Sequence, residues 1–375
     1  MTIATAPETG GALGAAHDDQ LDLHERLVGL FFNRAFGADP AAIWNAPAPL
    51  TILGGGVRGP SLALPTRWRA MVAGRVREDG AIRMFLLESP EEPVHFSLDE
   101  PDLEQRELPG TARLVLQVSR ALRRAGCCAG ADLLTYGNLP DGVGPAVRPA
   151  LACAVAQALV GVSGAALPPA DVLAALASLA SVDPDGGGVG PDVALCPASL
   201  LGTPGTVALV GSGLGSGLGS GLGSVSPAEG LQEVPFDPRA SRLRLVVISL
   251  RSGPGTPPPA TWEPGTDESS LAPEGFALLS GPPGVSVGPR LGALLSAAHR
   301  ASRADREPVA ADDIVPIAVG AGAYGARTTS SRTALAVVPT PLVPTVRAAV
   351  THWFAEHRAA APRFLTTAGL PLQEV

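Results

Sequence analysis

The residues that most clearly predict chemistry in this 375-residue chain lie between a predicted strand and a predicted helix. Gly142, Val143 and Gly144 precede the helix, so their backbone amides would lie at its amino-terminal end, where the helix dipole favours an anion. Arg148 either binds a phosphate directly or lies on the surface without a ligand. The same segment contains two residues that lack an N–H donor, Pro145 and Pro149. The segment therefore predicts an anion site with few amide donors.

Charge composition excludes several other chemistries. All 27 residues counted as Lys or Arg are arginine, and the chain contains no lysine. Schiff-base chemistry, a Walker-type phosphate loop and the strand lysine of protein kinases are excluded, because each needs an ammonium group that arginine does not replace. The 35 acidic residues give a net charge of −8, and there is no arginine-rich run, so we expect no nucleic-acid partner.

Histidine, cysteine and serine patterns give no support for metal or hydrolytic chemistry. His352 and His357 lie five residues apart, which is the wrong spacing for one helical face, and the other histidines are scattered. The four cysteines show no C-x-x-C spacing, so free buried thiols are expected. Ser61 and Ser199 lack the context of a nucleophile elbow. We therefore predict neither a metal ligand nor a catalytic serine.

Hydrophobic periodicity predicts a chain of mixed helices and strands. An amphipathic helix is predicted over Asp22–Phe36, where apolar residues recur every three or four positions at Leu23, Leu27, Leu30, Phe31 and Ala35. Short apolar runs from Leu50 to Phe96, separated by Gly, Asp and Pro, predict an antiparallel sheet. Further helices are predicted at 111–125, 146–162, 169–181, 288–302, 311–319 and 343–357. Further strands are predicted at 131–136, 242–250, near 326, at 334–338 and around 364. Strands followed by helices in both halves indicate a two-lobed α+β protein.

Low-complexity segments divide this chain. The repeat GSGLGSGLGSGLGS, Gly211–Ser224, matches a dinucleotide fingerprint only through its own period, and no helical pattern follows it. We predict a disordered amino-terminal segment at 1–21, an amino-terminal lobe at 22–190 and a carboxy-terminal lobe at 191–375. Within the second lobe, flexible insertions are predicted at 211–227 and 252–275.

One segment, Pro149–Ala170, is uncharged and long enough to span a bilayer. It is rich in alanine rather than leucine, contains Gln157 and Ser163 and ends in two prolines, so a buried helix is predicted and no membrane partner is expected. The first twenty residues lack the basic start and the continuous apolar stretch of a secretory signal, which predicts a cytoplasmic protein.

Five segments resemble landmarks of a known family, and their order is more telling than any one of them. They are Phe31–Gly56 (FFNRAFGADPAAIWNAPAPLTILGGG), Gly130–Leu151 (GADLLTYGNLPDGVGPAVRPAL), Pro197–Val210 (PASLLGTPGTVALV), Val234–Asp237 with the strand after it, and Ala321–Arg327 (AGAYGAR). From about Leu27 to Thr367 the chain resembles the galactokinases of the GHMP small-molecule kinase superfamily. The resemblance implies a two-lobed α+β GHMP-kinase fold, with a first lobe like domain 2 of ribosomal protein S5 and a ferredoxin-like second lobe.

The same resemblance marks positions where the chemistry of the family is missing. The family arginine falls on Pro49, and the sugar-binding glutamate and histidine fall on Gly55 and Gly56. The catalytic aspartate falls on Leu195, whose side chain cannot accept a proton. Asp192 is a weak catalytic candidate: either a one-turn slip brings it near the site, or it is a solvated carboxylate in a loop.

The resemblance implies ATP and Mg²⁺ as cofactors, yet the corresponding motifs are reduced. The family serines, one of which helps to hold magnesium, are replaced by Ala146, Val147 and Arg148. The glycine-rich third motif is shortened to Thr329–Thr333. Because those glycines let the backbone pass close to nucleotide and substrate, their loss predicts a closed or reshaped cleft.

Two functions remain open. The first is a degenerate galactokinase-like protein in which phosphorylation of galactose at C1 is impaired or lost, with a binding or regulatory role for a sugar or nucleotide ligand. The second is a working sugar kinase that uses relocated residues, namely Arg148, Asp192, Arg327 and Arg332. We favour the first, because the base, the arginine, the magnesium ligands and the sugar contacts are missing together.

Overall fold

The computed structural model of the chain describes residues 15–54, 59–86, 89–100, 108–127, 130–137, 147–181, 193–211, 230–251, 270–304 and 306–366. The strands within these ranges are β1 (Ala42–Leu53), β2 (Ser61–Arg77), β3 (Ala81–Leu86), β4 (Ser89–Ser97), β5 (Gly130–Gly137), β6 (Thr206–Val210), β7 (Leu231–Pro235), β8 (Leu243–Ser249), β9 (Gly325–Ser330), β10 (Thr333–Pro339) and β11 (Arg363–Thr366). The helices are α1 (Ala15–Phe36), α2 (Gly110–Arg124), α3 (Val147–Ser163), α4 (Pro169–Ala177), α5 (Cys196–Leu200), α6 (Leu271–Leu279), α7 (Val287–Ala304), α8 (Ile314–Gly320) and α9 (Val343–Glu356).

The sheet of the first lobe is built around β2. Strands β1, β5 and β6 all pair with β2, and the sheet runs in the order β4-β3-β5-β2-β6-β7 with β1 attached to β2. All pairs are antiparallel except β3 with β5. One face of the sheet is covered by the alanine-rich helix α3 and by α2, whose buried side chains form a single cluster with those of the sheet.

The second lobe contains a four-stranded antiparallel sheet in the order β11-β8-β10-β9. In chain order, helices α6, α7 and α8 connect β8 to β9, a hairpin connects β9 to β10, and α9 connects β10 to β11. The strand order 4-1-3-2 is that of a ferredoxin-like sheet. The predicted buried strand at 242–250 is β8, which lies at the centre, and the predicted strand pair is β9 with β10. The structure therefore confirms the two-lobed α+β prediction.

A shared hydrophobic cluster joins the lobes. Leu50 and Leu62 of the first sheet pack in one cluster with Leu245 and Leu335 of the second sheet and with Leu291 of α7. Each of these side chains is buried. Burial of apolar area contributes about 25 cal/mol per Å², so the joint core stabilises a single arrangement of the two lobes.

Helix α1 corrects the prediction for the amino terminus. The helix begins at Ala15, inside the segment 1–21 for which disorder is predicted. Alanine is the best helix former, and acidic residues are favourable near the amino-terminal end of a helix dipole, so the local sequence supports this start. The helix packs on the second face of the first sheet through Val28 and Phe32, which contact Met71 and Leu134.

Helix α6 corrects the second predicted insertion, at 252–275. The helix begins at Leu271, and Pro273 is tolerated because it lies in the first turn, where backbone N–H groups have no partner within the helix. Gly275 allows a close approach to the first sheet, since a Cβ atom there would lie 2.5 Å from Leu53 Cδ1. Residues 212–229, which contain nearly all of the Gly-Ser-Leu repeat, and residues 252–269 lie outside the described part of the chain.

The uncharged segment Pro149–Ala170 forms most of α3, and nine residues of that helix are buried in the first lobe. Among the described residues, no helix combines the length and the hydropathy needed to cross a bilayer. Three short elements, α5, β6 and β7, have no counterpart in the sequence prediction. Each has only five residues, which is too short for a periodic signal.

Candidate functional site at the junction of the lobes

The buried guanidinium of Arg327 marks the junction between the two lobes. Arg327 lies on β9 and is completely buried. Its Nη1 donates hydrogen bonds to the carbonyl oxygens of Ile52 (3.4 Å) and Gly54 (3.3 Å), and its Nε donates to Thr328 O (3.2 Å). The second lobe thereby holds the end of β1 immediately before residues 55–58. Gly55 and Gly56, the predicted sugar positions, lie outside the described residues.

We expect Arg327→Met to reduce the free energy of unfolding by about 2 kcal/mol, because two buried carbonyl oxygens lose a charge-assisted donor. Methionine retains most of the aliphatic volume, so the change tests the hydrogen bonds more than the packing. Urea unfolding followed by circular dichroism measures the loss. Arg332→Met is the matched control, since Arg332 is partly exposed and its Nη2 donates to Arg251 O on the same lobe. An equal loss in the two variants would contradict a special role for the junction arginine.

Strand β1 is irregular around Pro49, the residue that the sequence resemblance aligns with the family arginine. Its register with β2 shifts between Pro47 and Pro49, and Pro49 lies opposite Pro65. These prolines cannot donate ladder hydrogen bonds. Two side-chain hydroxyl groups satisfy carbonyl oxygens of β1 in this irregular segment. Ser199 Oγ donates to Pro47 O (2.7 Å), and Thr66 Oγ1 donates to Ala48 O (2.8 Å). Pro49 is buried in this irregular segment, and Ser199 has a structural partner there.

Leu195, which the sequence resemblance aligns with the family aspartate, lies in an apolar environment. It ends a short 3₁₀ turn, Val193–Leu195, that leads into α5. The side chain is completely buried in a cluster with Ala63, Ala198, Ala208 and Val210. These four neighbours provide no hydrogen-bonding side chain, so the cluster favours a hydrocarbon over a carboxylate. The hydroxyl of Ser61, which pairs with Val210 in the strand register, is buried there without a hydrogen-bond partner. Asp192 lies outside the described residues.

The amino-terminal end of α3 is the one predicted phosphate element that the described residues reach in part. The helix begins at Val147, and Arg148 follows in its first turn with an exposed side chain. Partial burial lowers the pKa of Arg148 from its ordinary value. An arginine remains a cation at neutral pH, so it still provides one positive charge at the positive end of a helix dipole. Gly142, Val143 and Gly144 lie outside the described residues, and their predicted role remains a prediction.

The residues at the third motif form a tight hairpin. Strand β9 ends at Ser330 and β10 begins at Thr333, so the two strands are joined by Ser331 and Arg332. The hairpin is anchored on both sides: Leu250 N donates to Arg332 O (2.9 Å), and Ala311 N donates to Ser331 O (3.2 Å). Its backbone is therefore fixed to the residue after β8 and to the 3₁₀ turn at Ala310–Asp313 that leads into α8. This hairpin forms part of the second sheet.

A buried polar network that sequence reasoning missed contacts β9 through Thr328. Arg306 donates to both carboxylate oxygens of Asp312, at 2.7 and 3.0 Å, and also to Thr328 Oγ1 at 2.8 Å. Val309 N donates to Asp312 Oδ2 at 2.9 Å. His299 Nδ1 lies 4.0 Å from Asp312 Oδ1. Since Thr328 adjoins Arg327, this network fixes the strand that carries the junction arginine.

Burial and charge shift the pKa values in this network. Burial alone would raise the pKa of Asp312, but the hydrogen bonds from Arg306 and Val309 outweigh it and hold the pKa below its ordinary value. Burial is the main reason that the pKa of His299 lies below its ordinary value; the charge of Asp312 offsets part of this shift. His299 is therefore neutral near pH 7, and the charges that remain there are those of Asp312 and Arg306.

We expect Asp312→Asn to destabilise the protein by about 3 kcal/mol at neutral pH, because it leaves the Arg306 charge nearly buried without its carboxylate. The stability that Asp312 contributes is fully present above its ordinary pKa of 3.8 and is lost as the pH falls through its lower folded-state value. The difference between variant and parent should therefore shrink at acid pH. Urea unfolding at several pH values checks this, with the exposed neighbour Asp313→Asn as control. A pH-independent difference would contradict the ion pair.

His, Cys, Asp and Glu side chains in the described part of the chain form no group of three that could hold a metal ion. A magnesium site would need oxygen ligands. The described first turn of α3 offers Val147, Arg148 and Pro149, which have neither a hydroxyl nor a carboxylate. The residues described here thus fit a phosphate better than a metal ion.

Comparison with known proteins identifies the fold. No family model matches the chain, and no curated protein matches it in sequence. Among solved structures, the galactokinase of Lactococcus lactis in complex with galactose superposes with a TM-score of 0.67 at 16% identity, covering 91% of this chain and 97% of that one. A D-glycero-D-manno-heptose 1-phosphate kinase from Bacteriodes thetaiotaomicron gives 0.53 at 14% identity, with coverage of 87% and 96%. The mevalonate kinase of Methanococcus jannaschii gives 0.53 at 9% identity, with coverage of 87% and 97%. The chain has the fold of the GHMP small-molecule kinases.

Proposed function

We propose, from the fold of a GHMP small-molecule kinase, that this chain is a galactokinase-like protein in which transfer of the ATP γ-phosphate to galactose is lost or severely impaired. Its remaining role is to bind a sugar or nucleotide ligand, with a regulatory output. The observation that carries this proposal is the burial of Leu195 in an apolar cluster, since sequence resemblance aligns Leu195 with the catalytic aspartate of the family. Leucine neither accepts a proton nor orients a sugar hydroxyl group.

Three neighbouring features support loss of the reaction. Pro49 is buried and has no charge to offer a transferred phosphoryl group. Arg327 uses two of its nitrogens on backbone carbonyl groups. The third-motif segment, which would have to approach a nucleotide, is a hairpin anchored to the second sheet. Loss of a single group that stabilises the transition state typically costs several kcal/mol. Loss of several such groups together therefore exceeds what one relocated residue could restore.

Ligand binding depends on fewer groups than phosphoryl transfer does. Arg148 at the start of α3 is exposed and cationic, and a helix amino terminus favours anions. Both features favour an interaction with the phosphates of a nucleotide. ATP, when bound, would supply the transferable phosphoryl group, and Arg148 would neutralise part of its negative charge. We derive no step through Mg²⁺, since the described residues of this turn do not provide ligands for it.

The alternative is an active sugar kinase with relocated residues. It needs Asp192 as the base and a phosphate cation from Arg148, Arg327 or Arg332. Arg327 and Arg332 donate to backbone carbonyl groups, and Arg148 has an exposed side chain. The exposure of Arg148 at the helix terminus is the observation that favours this alternative. The alternative requires nucleotide binding with turnover, whereas the favoured function requires binding of a sugar or a nucleotide without turnover.

The deciding experiment combines thermal-shift titration with a coupled assay of ADP release. Mg-ATP and galactose are titrated separately and together, with Arg148→Met as the test variant and the exposed Arg290→Met as its control. We expect a saturable shift with Mg-ATP that Arg148→Met removes and Arg290→Met retains, and no ADP release with galactose. Turnover that Asp192→Ala abolishes would establish the alternative. No shift with either ligand would contradict a binding role.

A further inference from the structure

Three arginines on the first sheet share one buried carboxylate. Arg75 on β2 and Arg83 on β3 both lie opposite Asp132 of β5 in the strand register, so the three residues form one row across neighbouring strands. Arg77 lies two residues further along β2 and therefore on the same face of the sheet. We call Arg75, Arg77 and Arg83 the arginine cluster.

The guanidinium groups of the arginine cluster converge on the two oxygens of Asp132. Arg75 Nη2 and Arg83 Nη2 donate to the same oxygen, Oδ2, at 3.3 and 3.1 Å. Arg77 Nη1 and Arg83 Nε donate to the other oxygen, Oδ1, at 3.0 and 2.9 Å. Burial alone would raise the pKa of Asp132, but the hydrogen bonds from Arg83 and Arg77 outweigh it and hold the pKa below its ordinary value. Asp132 is therefore an anion at neutral pH.

The paired carboxylates do not balance the charge of the arginine cluster. Arg77 also donates through Nε and Nη2 to Asp79, whose charge offsets that of Arg77. Arg75 and Arg83 are then left with Asp132, which is the only carboxylate among the described residues that pairs with either of them. Two cations held against one oxygen of a single anion repel each other, and one net positive charge remains.

Solvent reaches the cations of this cluster but not the carboxylate. The side chains of Arg75, Arg83 and Arg77 are 39%, 33% and 22% exposed, whereas that of Asp132 is 0% exposed. The ring of Phe36, the last residue of α1, lies 4.8 Å from the Arg83 guanidinium and helps to orient it. A guanidinium has five N–H donors, and Asp132 takes one from Arg75 and two from Arg83. Both arginines therefore retain donors for a second acceptor.

We infer that the arginine cluster is an anion site for a phosphate group, either free inorganic phosphate or the phosphate of a small ester. Guanidinium forks match the oxygens of a phosphate, and the buried carboxylate holds the forks together before the ligand binds. The phosphate supplies the second anion that Arg75 and Arg83 lack. This site is separate from the start of α3, because α3 packs on the opposite face of the sheet, to which Leu133 rather than Asp132 points. The inference does not depend on whether phosphoryl transfer is retained.

Isothermal titration calorimetry of the full chain with inorganic phosphate, at an ionic strength kept constant with chloride, tests the site. We expect saturable binding with a dissociation constant of about 1 mM or below, which Arg75→Met weakens by about 10-fold. Arg75 is the suitable position, because Asp132 keeps three hydrogen bonds from Arg77 and Arg83 without it. Arg113→Met is the matched control and should leave binding unchanged, since Arg113 is exposed on α2, which covers the other face of the sheet.

Two further titrations identify the place and the source of the phosphate. Arg148→Met removes the cation at the start of α3 and should leave binding at the arginine cluster intact, so failure of the nucleotide proposal is distinguished from failure of this one. Glycerol 3-phosphate, with glycerol as the neutral control, distinguishes an ester from free phosphate. Equal dissociation constants for the two phosphates would support free phosphate as the ligand, and tighter binding of glycerol 3-phosphate would support an ester.

Asp132→Asn should have the opposite effect on binding, which a purely structural ion pair would not show. The variant loses the internal anion, so phosphate should bind about 10-fold more tightly and raise its melting temperature more than that of the parent. Circular dichroism checks that each variant is folded. Absence of saturable phosphate binding by the parent would overturn the inference, and so would equal binding by Arg75→Met and Arg113→Met. Binding that Arg148→Met abolishes and Arg75→Met retains would place the phosphate at α3 and overturn it as well.

Discussion

Replacement of Gly325 by alanine should unfold the second lobe or destabilise it by about 3 kcal/mol or more, because no space exists for a methyl group. Gly325 is the first residue of β9 and lies against α7, where Gly292 faces it. A Cβ atom on Gly325 would lie 2.5 Å from the carbonyl carbon of Gly292 and closer still to its oxygen. Both contacting groups are backbone, so no side-chain rotation relieves the overlap. Only separation of α7 from β9 can do so.

The consequences of that separation reach the junction of the lobes. Arg327 lies two residues beyond Gly325 on the same strand, and Leu291 of α7 belongs to the shared core. We therefore expect Gly325→Ala both to lower the urea concentration at the unfolding midpoint and to reduce any rise in melting temperature that a ligand produces. Gly320→Ala is the control, since Gly320 ends α8 with open space around it, and alanine there should be neutral or slightly stabilising. Equal stability of the two variants would contradict the close approach of α7 and β9.

Elements with a long and regular period could be predicted from the sequence alone. The nine-residue run at 242–250 identifies β8 at the centre of the second sheet, and α2, α7 and α9 lie within a few residues of their predicted bounds. The order of these elements is sufficient for the two-lobed fold, because strand and helix alternation limits the topologies available. Local pattern and global arrangement agree in these segments.

The apolar period of α1 could be detected in the sequence, but which of its apolar side chains pack in the core could not. The positions Leu23, Leu27, Leu30 and Phe31 suggest a core face, and in the structure Val28 and Phe32 fill the core instead. A helix with apolar residues on two faces gives no sequence signal for which face packs inside. The missed helix α6 has a different cause: its proline and glycine suggest a loop, although each is accommodated by its position in the helix.

The candidate site was only partly accessible to sequence reasoning. Similarity of motifs predicts that Pro49 and Leu195 replace charged groups of the family, and the structure adds that both are buried. The polar network around Asp312 leaves no motif, because Arg306, His299 and Thr328 meet only after α7 and β9 pack together. Such networks depend on tertiary contacts between residues that are distant in sequence, which no local spacing encodes.

The clearest test of the proposed loss of catalysis is to restore the missing carboxylate, and we expect this restoration to fail. Leu195→Asp should destabilise the protein by at least about 3 kcal/mol, because it removes packed hydrocarbon and introduces a carboxyl group among Ala63, Ala208 and Val210. Burial would raise the pKa of the new carboxyl group above its value of about 3.9 in an unfolded chain. The folded state would then bind the proton more tightly, so stability should fall as the pH rises above that value.

Urea unfolding near pH 4 and near pH 7, together with ADP release in the presence of Mg-ATP and galactose, measures both consequences. Leu195→Met conserves volume and should lose less than about 1.5 kcal/mol, whereas Leu195→Asn has the shape of aspartate without its charge. If the aspartate variant is as stable as the methionine variant and releases ADP, then position 195 faces a working cleft and a single substitution had silenced the enzyme. If it is unstable and more so at neutral pH, the core around α5 has been rebuilt for hydrocarbon, and recovery of transfer would require repacking the whole cluster around residue 195.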